Sequence, residues 1–172
     1  MTLTIRNATH ADIPKLIDIF EQSILAIDDL IYSKAQKRAW MTVETGLATP
    51  EDFWKHRFAR TQPSVAESAA GEVVGFIEYL LYKNQSSEND PQCAYIDGLF
   101  VHPNYQRQGV AQALYDKTVF NPYGMSINTV WVHASKLAYP FFLKQGFEVV
   151  EQQQVERHNV TLSRYLMRKF IK

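Results

Sequence analysis

Gln106-Arg107-Gln108-Gly109-Val110-Ala111 is the stretch of this chain whose residue types and spacing speak most directly of chemistry. A strand-like run, Tyr95–Val101, gives way to the turn His102-Pro103-Asn104, and a helical pattern opens at Gly109. The backbone N–H groups at a helix N-terminus attract anions. Gly109 has no side chain, so the backbone there can approach phosphate oxygens closely, and Ala111 keeps the next position small. Arg107 adds a positive charge. The N–H groups from Gln108 to Ala113 are therefore a candidate cradle for a pyrophosphate.

Titratable side chains lie close by in sequence. Asp97 sits on the strand that leads into the turn, four residues before Val101, and period-two alternation puts Tyr95, Asp97 and Leu99 on one face. Glu78 belongs to the preceding strand, and His133 ends the following one. The five histidines, His10, His56, His102, His133 and His158, have no metal-ligand spacing, so no metal is expected. Cys93 is the only cysteine. Nothing near it suggests an activated thiolate, so it is read as structural.

The elements that must position these residues follow from periodicity and punctuation. Leu3–Arg6 alternates like a strand. Thr9-His10-Ala11-Asp12 resembles a capping box, and Ile13, Leu16, Ile17, Phe20, Ile24 and Ile27 make one apolar face of a helix to about Asp28. Ser33-Lys34-Ala35-Gln36 opens a second helix through Trp40 and Val43, stopped by Gly46. Thr49-Pro50-Glu51-Asp52 opens a third, carrying Phe53, Trp54 and Phe58. Ser64–Ala69 and Val73–Tyr82 read as a hairpin around Gly71-Glu72, and 84–91 as a polar loop. The central strand, its turn and a helix from Gly109 to about Val119 come next, broken by Asn121-Pro122-Tyr123-Gly124. Ile127–His133 reads as a strand and Ser135–Gln145 as mostly helical. Pro140 demands that this helix either start near Tyr139 or bend. A last hairpin, Phe147–Arg157 and Val160–Ile171, turns at His158-Asn159.

The order is β-α-α-α-β-β-β-α-β-α-β-β. It predicts an α/β (α+β) fold, with a mixed, mainly antiparallel sheet and helices on both faces. The strands flanking the helix at Gly109 should be parallel neighbours through a right-handed crossover. The expectation is one domain spanning 1–172.

Composition narrows the function classes. Hydrophobic residues make up 46% and charged residues 21%, as in ordinary globular proteins, and the formal net charge is zero. That balance argues against a nucleic-acid partner and against electrostatic attachment to a membrane. No apolar run is long enough to span a bilayer. MTLTIRNATH lacks the basic and apolar regions of a signal peptide, and one cysteine allows no internal disulfide, so a cytoplasmic location is expected.

At the central stretch the sequence resembles the GNAT superfamily of acyl-CoA-dependent N-acetyltransferases. Gln106-x-x-Gly109-x-Ala111 matches its Q/R-x-x-G-x-G/A signature. Ser135-x-x-Ala138-x-x-x-Phe142-x-x-x-Gly146-Phe147 follows its second pattern, N-x-x-A-x-x-x-Y-x-x-x-G-F. Gly75-Phe76-Ile77 and Met167-Arg168-Lys169 also look typical, and Tyr32-Ser33 through Gln36 to Trp40 resembles one bacterial subgroup. The resemblance covers essentially the whole chain and implies a seven-stranded sheet.

It also implies acetyl-CoA as cosubstrate and a primary amine of a small molecule or peptide as acceptor, attacked directly. The pyrophosphate would lie on Gln106, Arg107, Gln108, Gly109, Val110 and Ala111. The pantetheine arm would pair like an extra strand with Leu99 and Val101, with Phe100 and Ser135 at family contact positions. The amine must lose a proton before it attacks. Asp97 is the first candidate base, Glu78 the second and His133 the third, and a backbone N–H near the strand end would steady the oxyanion. The family's leaving-group acid is a tyrosine, and Phe142 stands in its place. Tyr139, one helical turn earlier, is the nearest hydroxyl in sequence, and Phe142 is left to pack against the pantetheine end. Tyr32, Trp40 and Trp54, with Asp28, Asp29 and Glu44, suggest an acidic, aromatic cleft for a cationic amine. The alternatives are a non-catalytic acyl-CoA sensing module on the same fold, motivated by Phe142, and transfer of another acyl group or to a hydroxyl. A monomer or homodimer is expected.

Overall fold

A computed structural model describes residues 2–42, 49–82, 93–119 and 127–171. The element order agrees with the periodicity: β1 (Leu3–Asn7), α1 (Ile13–Leu25), α2 (Lys34–Met41), α3 (Pro50–Thr61), β2 (Ser64–Ser68), β3 (Val73–Tyr82), β4 (Cys93–Val101), α4 (Val110–Val119), β5 (Thr129–Ser135), α5 (Tyr139–Lys144), β6 (Glu148–Arg157) and β7 (Val160–Phe170). Short 3₁₀ turns at His10–Asp12 and Pro103–Tyr105 precede α1 and α4. The expected stop at Gly46, the loop at 84–91, the break at 121–124 and Glu44 lie outside the described residues. No helix among the described residues is long and apolar enough to cross a membrane.

The seven strands lie in the order β1-β2-β3-β4-β5-β7-β6. Every neighbouring pair is antiparallel except β4 and β5, which are parallel, as a crossover through α4 requires. One face carries α4 and α5 over Ile77, Ile96, Val130, Val132 and Met167. The other carries α1 and α3 over Phe76 and Val65.

Local chemistry explains the element ends. Ser33 and Gln36 form the predicted capping box: Ser33 N–H donates to Gln36 Oε1 at 2.9 Å and Gln36 N–H to Ser33 Oγ at 3.3 Å. α1 stops at Leu25, short of Asp28, because the buried Lys37 ammonium from α2 takes the carbonyls of Leu25 and Ile27. Pro140 is accommodated at the start of α5, where no intrahelical donor is needed. The helix expected over Ser135–Gln145 is therefore shorter, and Ser135 is the last residue of β5. His158 and Asn159 both have positive φ, +49° and +59°, as a tight two-residue hairpin requires.

Candidate active site

The site begins where the sheet divides. β4 and β5 pair only from Cys93↔Thr129 to Ile96↔Val132, after which β5 continues along β7 to Ser135↔Arg164. β4 stays on β3, where His102 N–H donates to the Val74 carbonyl at 2.9 Å. Antiparallel alternation from that bond directs the backbone groups of Phe100 and Gly98 to β3. Those of Leu99 and Val101 point into the gap beside β5.

Asp97 causes the change of direction. Glu78 faces Gly98 and Tyr79 faces Ile96, so Asp97 is an extra residue, a β-bulge on β4. The bulge corrects the expected alternation. Tyr95 and Asp97 face the α1–α3 side, whereas Leu99, opposite Ile77, packs on the α4 side. Phe100 is also turned from its expected role: its backbone meets β3 and its ring packs against Phe20 and Phe76.

At the far end of the gap, Arg107 has φ +59° and Gly109 φ +85°. A Cβ built on Gly109 meets nothing within 4 Å, so open space lies beside this backbone. The first α4 hydrogen bond is Ala113 N–H to the Gly109 carbonyl, 2.9 Å. The free turn therefore comprises the N–H groups of Val110, Ala111 and Gln112. Ala113, predicted to join the cradle, is already committed to the helix. Gln106 ties the turn to the strand, its Nε2 donating to the Val101 carbonyl at 3.1 Å. That carbonyl is thus occupied, leaving the Val101 N–H facing the gap. Gln108 Nε2 donates to the Asn104 carbonyl. The Arg107 side chain is exposed, and Val110 is buried in the core.

The two carboxylates proposed as bases belong to one charge cluster. Glu78 is completely buried. Arg57 of α3 donates to it through Nε at 2.8 Å and Nη2 at 2.7 Å, and the Thr61 hydroxyl donates at 2.9 Å. Arg57 Nη2 also lies 2.9 Å from Asp97 Oδ2. Burial opposes the Arg57 charge, but bonding to Glu78 and the nearby Asp97 outweigh it, and its pKa rises. Both carboxylates already face a cation. Arg57 escaped the sequence reading because its partners come from other elements; a lone arginine on a helix carries no such signal.

His133 has the opposite setting. Its Nδ1 lies 2.6 Å from the Tyr95 hydroxyl. Burial, and then the charge of Arg164, lower its pKa below the usual 6.5, with Asp97, Gln153 and Glu151 opposing. The imidazole is therefore neutral at neutral pH. Tyr95 was not singled out as a site residue from the sequence, though its place one strand over from His133 was available.

The remaining predicted positions are scattered. Phe142 is 2% exposed, locked edge-on between Phe141 and Phe147, and is a core residue. Tyr139 packs on Tyr165, ring centroids 4.4 Å apart, on the α4–α5 face and away from Tyr95 and His133. The Ser135 hydroxyl accepts from the Ala138 N–H and organises the turn into α5. Tyr32 and Trp54 are buried. Asp28 accepts from the Leu30 N–H and Asp29 is paired with Lys37, 2.7 Å, so the expected acidic cleft does not form from these residues. No group of three or more potential metal ligands occurs among the described residues.

A family model described as acetyltransferase (GNAT) domain matches residues 33–169. The chain belongs to the GNAT acetyltransferase family. Among relatives of this GNAT protein is the uncharacterized N-acetyltransferase YafP of Escherichia coli (strain K12), 34% identical over 96% of this chain and 95% of the relative. Among solved structures, a GCN5-related N-acetyltransferase from Rhodopseudomonas palustris matches with TM-score 0.78 and 25% identity, covering 99% of this chain and 97% of that one. A phosphinothricin acetyltransferase from Sinorhizobium meliloti, in complex with AcCoA, shares the fold with TM-score 0.74 at 18% identity, covering 99% and 89%. The seven-stranded GNAT sheet expected from the sequence is the sheet observed.

Proposed function

We propose that this GNAT enzyme transfers the acetyl group of acetyl-CoA to a primary amine of a small molecule or peptide by direct attack, in the cytoplasm. The observation that carries this reading is the split between β4 and β5. It has outward backbone groups at Leu99 and Val101 along one wall and the Gly109 turn at its end. An extended, amide-bearing arm ending in a pyrophosphate fits both features: strand-like pairing suits the arm, and the open N–H groups of Val110 to Gln112 suit the anion.

Acetyl-CoA supplies an activated thioester carbonyl. The chain's own residues must orient the amine and take its proton. His133 is the base in this reading, because it is neutral and partly shielded, whereas Asp97 and Glu78 are held by Arg57. His133 Nδ1 lies 2.6 Å from the Tyr95 hydroxyl and Gln153 also hydrogen-bonds the imidazole, so in this reading the acceptor amine takes the place of Gln153 at the ring. The Leu99 or Val101 N–H steadies the oxyanion. With a thiol pKa of about 8.5, the thiolate leaves tolerably without an acid.

Thermal denaturation with acetyl-CoA, followed by thiol release across a panel of amines, tests the reading. A raised Tm and turnover on at least one amine are expected. The absence of both would contradict it.

A further inference from the structure

The side chains that surround His133 indicate what the acceptor carries besides its amine. Arg6, Arg57, Arg164 and Arg168 are the arginines that are not exposed. Three of them meet carboxylates: Arg6 with Asp12 and Glu67, Arg57 with Glu78 and Asp97, and Arg168 with Glu148. Arg164 differs. Its Nε donates to the neutral amide oxygen of Gln153 at 2.9 Å, and no carboxylate among the described residues forms an ion pair with it. The nearby acid, Glu151, is engaged by Gln153 Nε2 at 2.6 Å.

The place of Arg164 is also specific. His133 pairs with Leu166 and Ser135 with Arg164, so Arg164 is the diagonal neighbour of His133 on the same face of the sheet. Such neighbours lie about 7–8 Å apart, with their Cβ atoms somewhat closer, within the reach of an arginine side chain. The charge of Arg164 acts on His133, and Tyr95 in turn acts on Arg164. A half-buried guanidinium with a neutral partner keeps donors for a planar anion.

We infer that Arg164 binds a carboxylate of the acceptor beside the His133–Tyr95 pair, so that the substrate class is a small aminocarboxylate rather than an oligocationic amine. This rests on the acetyltransferase reading above. Gln153 holds the guanidinium in plane, and the acceptor's amine is set toward His133 by the fixed separation between its own nitrogen and its carboxylate. Arg164 thereby acts as a specificity residue, and the chemistry stays with His133.

The test compares amino acids with their carboxamides as acceptors, in the wild-type enzyme and in Arg164→Gln and Arg164→Lys. Wild type should favour the free acids in kcat/KM by at least about 10-fold, the discrimination of a charge-assisted contact. Arg164→Gln should erase that preference, losing kcat/KM on the free acids by far more than on the carboxamides, and Arg164→Lys should restore part of it. Equal use of acids and carboxamides by wild type, equal losses on both in Arg164→Gln, or turnover confined to amines without a carboxylate would each overturn the inference. A Tm shift with acetyl-CoA alone, measured on all three proteins, reports separately on the reading beneath it. Failure of that shift in wild type removes the acetyltransferase reading itself.

Discussion

Arg57 grips Glu78 with two hydrogen bonds, 2.8 and 2.7 Å, beneath helix α3. The pair joins a helix to the sheet at the place where β4 bulges. Its third member, Asp97, is the bulged residue itself. The charges next to the split therefore have a structural task, which removes two carboxylates from the list of free bases.

Removing one partner of this buried cluster should be costly. Arg57→Met leaves the Glu78 carboxylate uncompensated in the interior and should destabilise the fold by about 3–5 kcal/mol. Replacing both, Arg57→Met with Glu78→Met, should recover most of that loss, as apolar replacements of buried ion pairs do. Denaturant unfolding of the two variants checks this. A double variant as unstable as the single one would mean that the cluster does more than neutralise charge.

Gly98 is the position that Glu78 cannot share. A Cβ there would lie 2.7 Å from Glu78 Oε2 and 2.8 Å from the Phe100 ring. Gly98→Ala must displace the carboxylate or the ring, a misfit of about 1–3 kcal/mol. The same unfolding measurement reads it, and an unchanged midpoint would show that the bulge yields more easily than its geometry implies.

His133 predicts a pH profile. Its pKa is lowered from 6.5 by burial and by Arg164, so the neutral form prevails above that range. The dependence of kcat/KM should show an ascending limb below pH 6.5 and then level off. His133→Gln should lose the limb and about 10²–10⁴ in rate. Asp97→Asn should keep the limb. A limb that vanishes in Asp97→Asn and survives in His133→Gln would return the base to Asp97. Stability carries the same sign: a depressed pKa in the folded state contributes stability above the unfolded value of 6.5, lost as pH falls below it.

Gly109 separates binding from folding. At φ +85° a side chain costs about 1–2 kcal/mol of backbone strain, but it meets no atom within 4 Å. Gly109→Val should therefore fold with a modestly lower Tm and bind acetyl-CoA much more weakly, seen as a raised KM. An unchanged KM would speak against the cradle.

Much of the fold could be read from the chain because the signals were local. Capping boxes, the apolar face of α1, the His158-Asn159 turn and the strand–turn–helix around Gly109 each depend on residues within a few positions of one another. Proline chemistry posed the question at Pro140, and helix α5 answers it by starting at Tyr139. The misses were tertiary. The bulge at Asp97 inserts one residue against β3 and turns Leu99 to the other face, which period-two counting cannot anticipate. Arg57 reaches Glu78 from 21 positions away, and Tyr95 meets His133 across 38. Phe142 kept its place in the family pattern, but its environment is the core, where the surrounding Phe141 and Phe147 rings decide its role.

The central claim is that the split between β4 and β5, ending at Gly109, receives acetyl-CoA. Amide hydrogen exchange with and without acetyl-CoA tests it most directly. The account predicts new protection at the N–H groups of Leu99, Val101, Val110, Ala111 and Gln112. Protection elsewhere with none at these five, or no change at saturating acetyl-CoA, would contradict it.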